Sequence, residues 1–132
     1  MRRTIVLIGV AMLVGASASG EAGHSSKALA KLEKHLSGRV AGEPVNCLKS
    51  DQTTSPIGID DHTMLFRDGP RIWRTELQGA MQCADLGGRK SVVTAGNSLR
   101  LCRGDRVHIV DLTDGSPVGA CVMGAFVPYT KP

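Results

Sequence analysis

The clearest alternation of apolar and polar positions lies in the last third of the chain, between Ser98 and Tyr129. Short aliphatic and β-branched runs there are separated by segments rich in glycine and aspartate, which is typical of antiparallel strands joined by turns. The longest run, 118–127, contains Gly119 and Gly124, and a glycine inside a strand indicates a bulge or a close approach of two backbones. We expect the rest of the domain to pack onto this stretch.

A hairpin is predicted inside the same stretch. Residues 99–102 and 106–112 flank Arg103-Gly104-Asp105, where the glycine can adopt the positive φ that a tight turn requires. Pairing of the two runs would place Cys102 opposite Val107. The three turn residues also spell an adhesion tripeptide, and we interpret them as a turn because the backbone geometry alone accounts for the glycine.

The middle of the chain carries a second hairpin signal, Asp68-Gly69-Pro70, between the apolar runs 63–67 and 71–77. A two-residue Asp-Gly loop would place Leu65 opposite Ile72 and Met64 opposite Trp73, with apolar pairs on both faces. The hairpin is therefore expected to be covered on both sides.

Further short strands are predicted at 57–59 and 91–94, and a further turn at 113–117. The chain has six to eight such strands and a single helical stretch. The fold class predicted is mainly β, a small barrel or sandwich of short antiparallel strands with one N-terminal helix.

The helical stretch covers 27–36, with Ser25 or Ser26 as the N-cap and Gly38 where a helix end favours a left-handed residue. The predicted apolar stripe consists of Leu29, Leu32 and Leu36. We interpret the stripe as a surface that packs on the β-domain. Binding of this basic amphipathic helix to an anionic membrane surface is the alternative.

The first residues have the three parts of a secretory signal peptide. Two arginines precede an apolar run at 5–14, and Ala16-Ser17-Ala18 fits the small-x-small cleavage pattern. The run is shorter than the roughly 20 apolar residues that a membrane span requires. We expect export with cleavage after Ala18, hence a periplasmic or secreted mature chain without a transmembrane segment.

Three segments follow from these observations: a signal peptide at 1–18, a flexible lead with the amphipathic helix at 19–43, and a disulfide-stabilised β-domain at 44–132. Cleavage would remove two arginines and leave 14 basic against 12 acidic residues, so the net charge falls from +4 to +2. A nearly neutral chain with one Trp, one Tyr and two Phe offers few stacking platforms and little clustered charge for nucleic acid. Nucleic acid is therefore not an expected partner.

Four cysteines in an exported chain indicate two disulfides. None of them forms the C-x-x-C pair that a zinc or redox-active site requires. Three connectivities are possible and loop entropy barely separates them. We favour Cys47 with Cys102 and Cys83 with Cys121, because these bonds would tie earlier segments to the terminal hairpin, and the other pairings stay open.

Candidate chemical groups are few. Asp60-Asp61-His62 has the letters of an acid/base or metal cluster, but alternate side chains of an extended segment point in opposite directions and no further ligand lies nearby in sequence. We interpret it as a turn with a solvated histidine, and His108 as a packed or edge histidine. Nucleophile elbows, phosphate-binding glycine loops and complete calcium loops are absent from the sequence. The sequence predicts no catalytic residue, no cofactor and no metal ligand.

Arginine is the one residue type that suggests a binding surface. Both predicted hairpins carry arginines that folding could bring onto one cationic surface: Arg67, Arg71, Arg74, Arg100, Arg103 and Arg106. Guanidinium groups bind carboxylates and phosphates through paired hydrogen bonds. An anionic envelope component or an acidic protein is the partner that such a surface predicts, and a solvated face is the simpler alternative.

Several short motifs lie within 38–129. They are Gly38-Arg39-Val40-Ala41-Gly42 before Cys47, Ile59-Asp60-Asp61 with Met64-Leu65-Phe66-Arg67, Leu101-Cys102 with Asp105, and Gly124-Ala125-Phe126-Val127-Pro128-Tyr129. Together they resemble a family of small exported proteobacterial proteins classed as a domain of unknown function. The resemblance implies a bacterial periplasmic setting and a cysteine-bearing β-domain. It implies no activity.

These observations favour an exported binding or structural module of the periplasm or cell envelope, without catalytic activity. Two alternatives remain open. A small periplasmic hydrolase inhibitor would use an exposed loop such as 103–105. A small thiol-dependent enzyme would use an unpaired cysteine with His62 or His108, because the thiolate is the nucleophile in such enzymes.

Overall fold

The computed structural model describes residues 24–78, 90–94 and 99–132, and for 90–94 it describes the backbone alone. Helix α1 and the 3-10 helix η1 lie in the first half of the chain, and short strands make up most of the rest. The bounds are α1 Ser26–Leu36, β1 Val40–Ala41, β2 Cys47–Lys49, η1 Ser50–Thr53, β3 Pro56–Gly58, β4 Thr63–Asp68, β5 Arg71–Gln78, β6 Lys90–Thr94, β7 Arg100–Cys102, β8 Arg106–Asp111 and β9 Pro117–Thr130.

The strands form two antiparallel sheets. The larger sheet has the order β3-β4-β5-β9-β8-β6, with β1 also paired to β9, and the smaller one is the two-stranded ribbon β2-β7. Strand β9 lies inside the larger sheet between β5 and β8. The mainly β fold with one N-terminal helix is confirmed, and the described strands make a sandwich-like domain without closing into a barrel.

The hairpin predicted in the middle of the chain is confirmed as β4-β5, with a register that differs by two residues. Gly69 and Pro70 form the loop, so that Asp68 pairs with Arg71 and Phe66 with Trp73. Gly69 has φ +56°, and this positive angle followed by the negative φ fixed by proline matches a type II′ turn. A shift of two residues leaves each side chain on its predicted face, because side chains alternate along a strand.

The hairpin predicted across Arg103-Gly104-Asp105 does not form. Strand β7 pairs with β2, and β8 pairs with β6 and β9, so the turn carries the chain from the ribbon into the larger sheet. Cys102 consequently lies opposite Cys47 rather than Val107. The predicted turn at 113–117 is confirmed, since β8 and β9 pair on either side of it and Gly115 has φ +73°.

Two apolar clusters cover the two faces of the larger sheet. One includes Phe66, Trp73 and Phe126, together with residues from both strands of the ribbon. The other joins α1 to the opposite face through contacts with Leu65 and Ile72. The β4-β5 hairpin is therefore buried on both sides, as the pairing of apolar residues on its two faces predicts.

Helix α1 begins at the predicted cap and packs on the sheet. The Ser25 side chain accepts a hydrogen bond from the backbone N–H of Ala28, and Gly38 has φ +71° just past the helix end. The buried side chains are Ala28 and Leu32, whereas Leu29 is 47% exposed. The predicted stripe was wrong at Leu29. The face of α1 that meets the sheet carries Ala28 in its place, together with Leu32 and Leu36.

The glycines inside β9 mark two irregularities of the sheet, as predicted. The register of β5 against β9 shifts between Thr75 and Leu77, and that of β8 against β9 shifts between Ile109 and Val110. Gly124 lies at the first of these shifts, where its Cα faces the backbone of Glu76, and Gly119 lies at the second, paired with Ile109.

Three of the sequence predictions lie wholly or partly outside the described residues. They are the signal peptide at 1–18, the first part of the flexible lead, 19–23, and the position of Cys83. Within the described part of the chain, the helices are too short or too polar to span a membrane. Strand β1, which belongs to the predicted lead, pairs with β9, so the chain between α1 and the ribbon is held on the larger sheet.

Candidate functional site

The β2-β7 ribbon has one apolar face and one face of cysteine and cationic side chains. Cys47, Leu48 and Lys49 pair with Cys102, Leu101 and Arg100, respectively. Leu48 and Leu101 are 1% and 4% exposed and belong to the larger apolar cluster. Since alternate residues of a strand point to opposite faces, Lys49 and Arg100 lie on the same face as the two cysteines. Both cations are exposed.

A disulfide joins Cys47 and Cys102 across the ribbon, with the two Cα atoms 4.0 Å apart. This is the first of the two bonds favoured from the sequence, and both cysteines are partly exposed. Cys121 is also disulfide-bonded and is 2% exposed. Its predicted partner, Cys83, lies outside the described residues, so that pairing stays a prediction.

The turn that follows the ribbon is held rigidly by backbone hydrogen bonds. The N–H of Arg103 donates to the carbonyl of Asn46 at 2.6 Å, and the N–H of Gly104 donates to that of Met123 at 2.9 Å. The Asp105 carboxylate accepts from the N–H of Cys102 at 2.7 Å. Gly104 has φ +88°, which supports the interpretation of these residues as a turn. The carboxylate serves the turn itself, while the Arg103 side chain is exposed.

The six arginines do not share one surface. Arg71 and Arg74 lie on opposite faces of β5, because they are an odd number of residues apart along a regular strand. The guanidinium of Arg71 lies 5.2 Å from the centre of the Trp73 ring, where a cation–π contact holds it. The expectation of a single surface is therefore wrong for the β4-β5 hairpin. Arg106 lies on the opposite face of β8 from Val107, which belongs to the same apolar cluster as Leu48 and Leu101, so Arg106 points away from the ribbon. We use the name cationic ribbon for Lys49, Arg100 and Arg103.

Sequence reasoning missed Lys49 as a member of this group. The sequence could have indicated it, because Lys49 lies two residues after Cys47, and residues two apart on a strand share one face. The partnership with Arg100 depends on the β2-β7 pairing, and nothing local in the sequence indicated that pairing.

A concave surface lies on strands β5 and β9 of the larger sheet. It has a volume of about 350 Å³ and is lined by Arg74, Glu76, Ala125, Val127 and Tyr129. Arg74 Nε lies 2.7 Å from Glu76 Oε1, and the hydroxyl of Thr63 donates to Glu76 Oε2 at 2.8 Å.

The charges of Arg74 and Glu76 on this concave surface compensate each other. Burial alone would lower the pKa of Arg74, but the hydrogen bond and charge of Glu76, with a contribution from Tyr129, raise its pKa above the ordinary value. The guanidinium thus has internal partners, and among the described lining residues the one cation is matched by the one carboxylate.

The Asp60-Asp61-His62 segment forms a turn, as predicted. Asp60 Oδ1 accepts from the N–H groups of His62 and Thr63 at 2.8 and 2.9 Å, and the second carboxylate oxygen contacts Nδ1 of His24. Burial works to raise the pKa of Asp60, but the hydrogen bonds from His62, His24 and Thr63 outweigh it and hold the pKa below the ordinary value. His24 was not identified from the sequence, because 36 residues separate it from Asp60.

No chemically active constellation is formed by these groups. A cleft of about 250 Å³ lies between Ser25 and Asp60-Asp61-His62, but the Asp60 carboxylate is occupied by its turn and by His24. Among the described residues there is no cluster of three or more histidine, cysteine, aspartate or glutamate side chains that could hold a metal ion. His108 is exposed on β8 between the buried Val107 and Ile109.

Comparison of the chain with protein-family models, with curated proteins and with solved structures finds no match. The resemblance to exported proteobacterial proteins therefore remains a prediction.

Proposed function

We propose that the chain is an exported binding module without catalytic activity, and that its cationic ribbon binds an acidic protein surface. The observation that carries the proposal is the register of β2 and β7, which sets Lys49 opposite Arg100 on an exposed face. Arg103 begins the turn that follows β7, and the backbone hydrogen bonds of this turn hold it in one conformation. A fixed array of cations binds with less loss of conformational entropy than cations on a mobile loop.

The chemistry of the ribbon favours carboxylate partners. Guanidinium groups form paired hydrogen bonds with carboxylates, and two of the three cations are arginines. The mature chain is predicted to have a net charge near neutral, so the attraction is local to this surface. A local cationic surface on a nearly neutral protein selects partners by complementary charge and increases the rate of encounter.

A protein is a better partner than a lipid surface because of the side chain next to the ribbon. Leu99 precedes Arg100 and is 80% exposed. One large apolar side chain beside arginines resembles the composition of protein interfaces, in which arginine is enriched and apolar anchors lie among polar groups. Membrane-surface binding relies on a wide apolar face, and α1 has its apolar face on the sheet.

Export and the absence of catalysis rest on separate observations. The predicted signal peptide supports export, and the Cys47–Cys102 disulfide agrees with an oxidising compartment. The absence of catalysis is supported by the engagement of the candidate groups, since Asp60 caps its turn and Cys47, Cys102 and Cys121 are disulfide-bonded.

Binding to polyglutamate, a carboxylate polyanion that imitates an acidic protein surface, tests the proposal. The triple variant Lys49→Gln/Arg100→Gln/Arg103→Gln should bind at least about tenfold more weakly than the unmodified chain by titration calorimetry at low salt. A control with the same change of charge is Lys27→Gln/Lys34→Gln/Lys131→Gln, because these three lysines are exposed and lie outside the ribbon. Equal weakening in both variants would contradict the ribbon as the site. Stronger binding to phosphatidylglycerol vesicles than to polyglutamate would contradict a protein partner.

Inhibition of a periplasmic hydrolase is a second candidate function, and the rigidity of the Arg103 turn is the observation that favours it. Inhibitors that bind by presenting a loop need that loop held in one conformation before binding, and four backbone hydrogen bonds hold this one. Inhibition assays with envelope serine proteases specific for arginine would test it. Loss of inhibition in Arg103→Ala, with inhibition retained in Arg106→Ala, is the expected pattern.

A further inference from the structure

We propose that the Cys47–Cys102 disulfide is a site of thiol–disulfide exchange with small anionic thiols, a class that includes glutathione. The inference goes beyond the binding function proposed above and does not depend on it, because the exchange requires no protein partner. Its starting point is that the face of the ribbon that carries the sulfurs also carries Lys49 and Arg100.

The cysteines of the ribbon disulfide are accessible to solvent. Cys47 and Cys102 are both partly exposed, whereas the disulfide-bonded Cys121 is 2% exposed and belongs to the larger apolar cluster. Attack on a disulfide requires a thiolate to reach one of the sulfur atoms. The ribbon disulfide is therefore open to an external thiol in the folded protein, and Cys121 provides a protected comparison within the same chain.

Cationic side chains lie on the same face as the ribbon disulfide. Attack leaves one cysteine sulfur as a thiolate, and nearby cations stabilise a thiolate and lower the pKa of the thiol. Lys49 follows Cys47 by two residues and Arg100 precedes Cys102 by two, so both cations lie on the face of the cysteines. Arg103 is the next residue after Cys102. The described carboxylates nearest in sequence are Asp51, two residues after Lys49, and Asp105, which accepts a hydrogen bond from the N–H of Cys102. The cations on the cysteine-bearing face of the ribbon favour the approach of an anionic thiol over a cationic one.

The ribbon is expected to keep its structure when the disulfide opens. Leu48 and Leu101 are buried in the larger cluster, and the backbone hydrogen bonds from Arg103 to Asn46 and from Ser50 to Leu99 pair the strands at both ends. Exchange at this site consequently does not require the domain to unfold.

The exchange proceeds in two balanced steps. The sulfur of the attacking thiolate bonds to Sγ of one cysteine, the Cys47–Cys102 bond breaks, and the other Sγ departs as a thiolate. A second thiolate then attacks the external sulfur of this mixed disulfide and releases the small molecule as its own disulfide. Two external thiols are thereby oxidised by two electrons, and the cysteine pair is reduced by two.

The test measures mixed-disulfide formation in the folded, oxidised protein, with alkylation at timed intervals and peptide mass spectrometry. Glutathione, which is anionic, should react about tenfold faster than the cationic thiol cysteamine after correction for thiolate concentration. The modification should appear on Cys47 or Cys102 while the Cys121 bond stays intact. High salt should remove most of the preference, because it screens exposed charges.

Two variants locate the effect. Lys49→Gln/Arg100→Gln should lose most of the preference for glutathione, and Lys27→Gln/Lys34→Gln, which removes the same charge from exposed positions of α1, should retain it. The proposal is overturned if exchange occurs only in denaturant, if the Cys121 bond opens first, or if the unmodified chain treats both thiols alike. The comparison of thiols and of salt on the unmodified chain decides the matter even if a variant fails to fold.

Discussion

Gly124 of β9 packs directly against the backbone of Glu76 on β5, at the point where the register between the two strands shifts. A Cβ added at Gly124 would collide with the carbonyl oxygen of Glu76, and a backbone atom in a paired strand cannot move aside as a flexible side chain can. The irregularity in the two central strands therefore requires glycine at this position.

Gly124→Ala should lower the free energy of unfolding by about 1–3 kcal/mol, the usual cost of inserting a methyl group into a packed site. Denaturation followed by the fluorescence of Trp73 measures this change, since that side chain is 5% exposed in the folded protein. The control is Gly42→Ala, whose added Cβ would meet a side-chain carbon of Pro128 at 3.1 Å and the carbonyl oxygen of Pro128 at an ordinary contact distance of 3.7 Å. A cost at Gly124 no larger than that at Gly42 would contradict the close approach.

Leucines 29 and 32 of α1 test the docking of the helix. Leu32 is 6% exposed against Leu65 and Ile72, and Leu29 is 47% exposed. We expect Leu32→Ala to reduce the free energy of unfolding by about 2–3 kcal/mol and Leu29→Ala by under about 1 kcal/mol. Both substitutions change helix propensity equally, so the difference in urea denaturation reports the packing. Similar losses would mean that α1 does not bury the face described.

The local parts of the fold could be predicted from the sequence. The Ser25 cap and Gly38 delimited α1, and Asp68-Gly69-Pro70 marked the β4-β5 hairpin, because capping and turn chemistry depend on neighbouring residues. The two-residue error in register arose because Asp-Gly is the commoner loop pair, whereas here Gly69-Pro70 supplies the required signs of φ.

The non-local pairings could not be predicted in the same way. Gly104 signals a turn, but the positive φ that it provides serves equally a hairpin and a passage between two sheets. The choice was decided by Leu101, which gains a buried position by pairing with Leu48 more than 50 residues earlier. The favoured Cys47–Cys102 bond brought these two segments together, but it did not give the strand register that places Lys49 opposite Arg100.

Removal of the ribbon disulfide should destabilise the domain without separating the strands. The bond closes a sequence separation of 55 residues, for which the chain-entropy account gives about 4 kcal/mol. The double variant Cys47→Ala/Cys102→Ala should show this loss in chemical denaturation. It should also retain slow hydrogen exchange at the Arg103 amide, which bonds to the Asn46 carbonyl. Fast exchange at this amide would show that the disulfide, and not the buried leucines, holds the ribbon together.

Asp60 should make the domain less stable in acid. Its pKa in the folded chain lies below the ordinary value, so the unfolded state binds a proton more readily than the folded state does. The stabilisation is complete above the unfolded pKa of about 3.9 and is lost as the pH falls through the lower pKa of the folded state.

The variant Asp60→Asn cannot titrate at this position, so the difference in unfolding free energy between the unmodified chain and Asp60→Asn should shrink below about pH 4. A difference for Asp60→Asn that stays constant from neutral pH into acid would show that the carboxylate is not held by His24 and the turn.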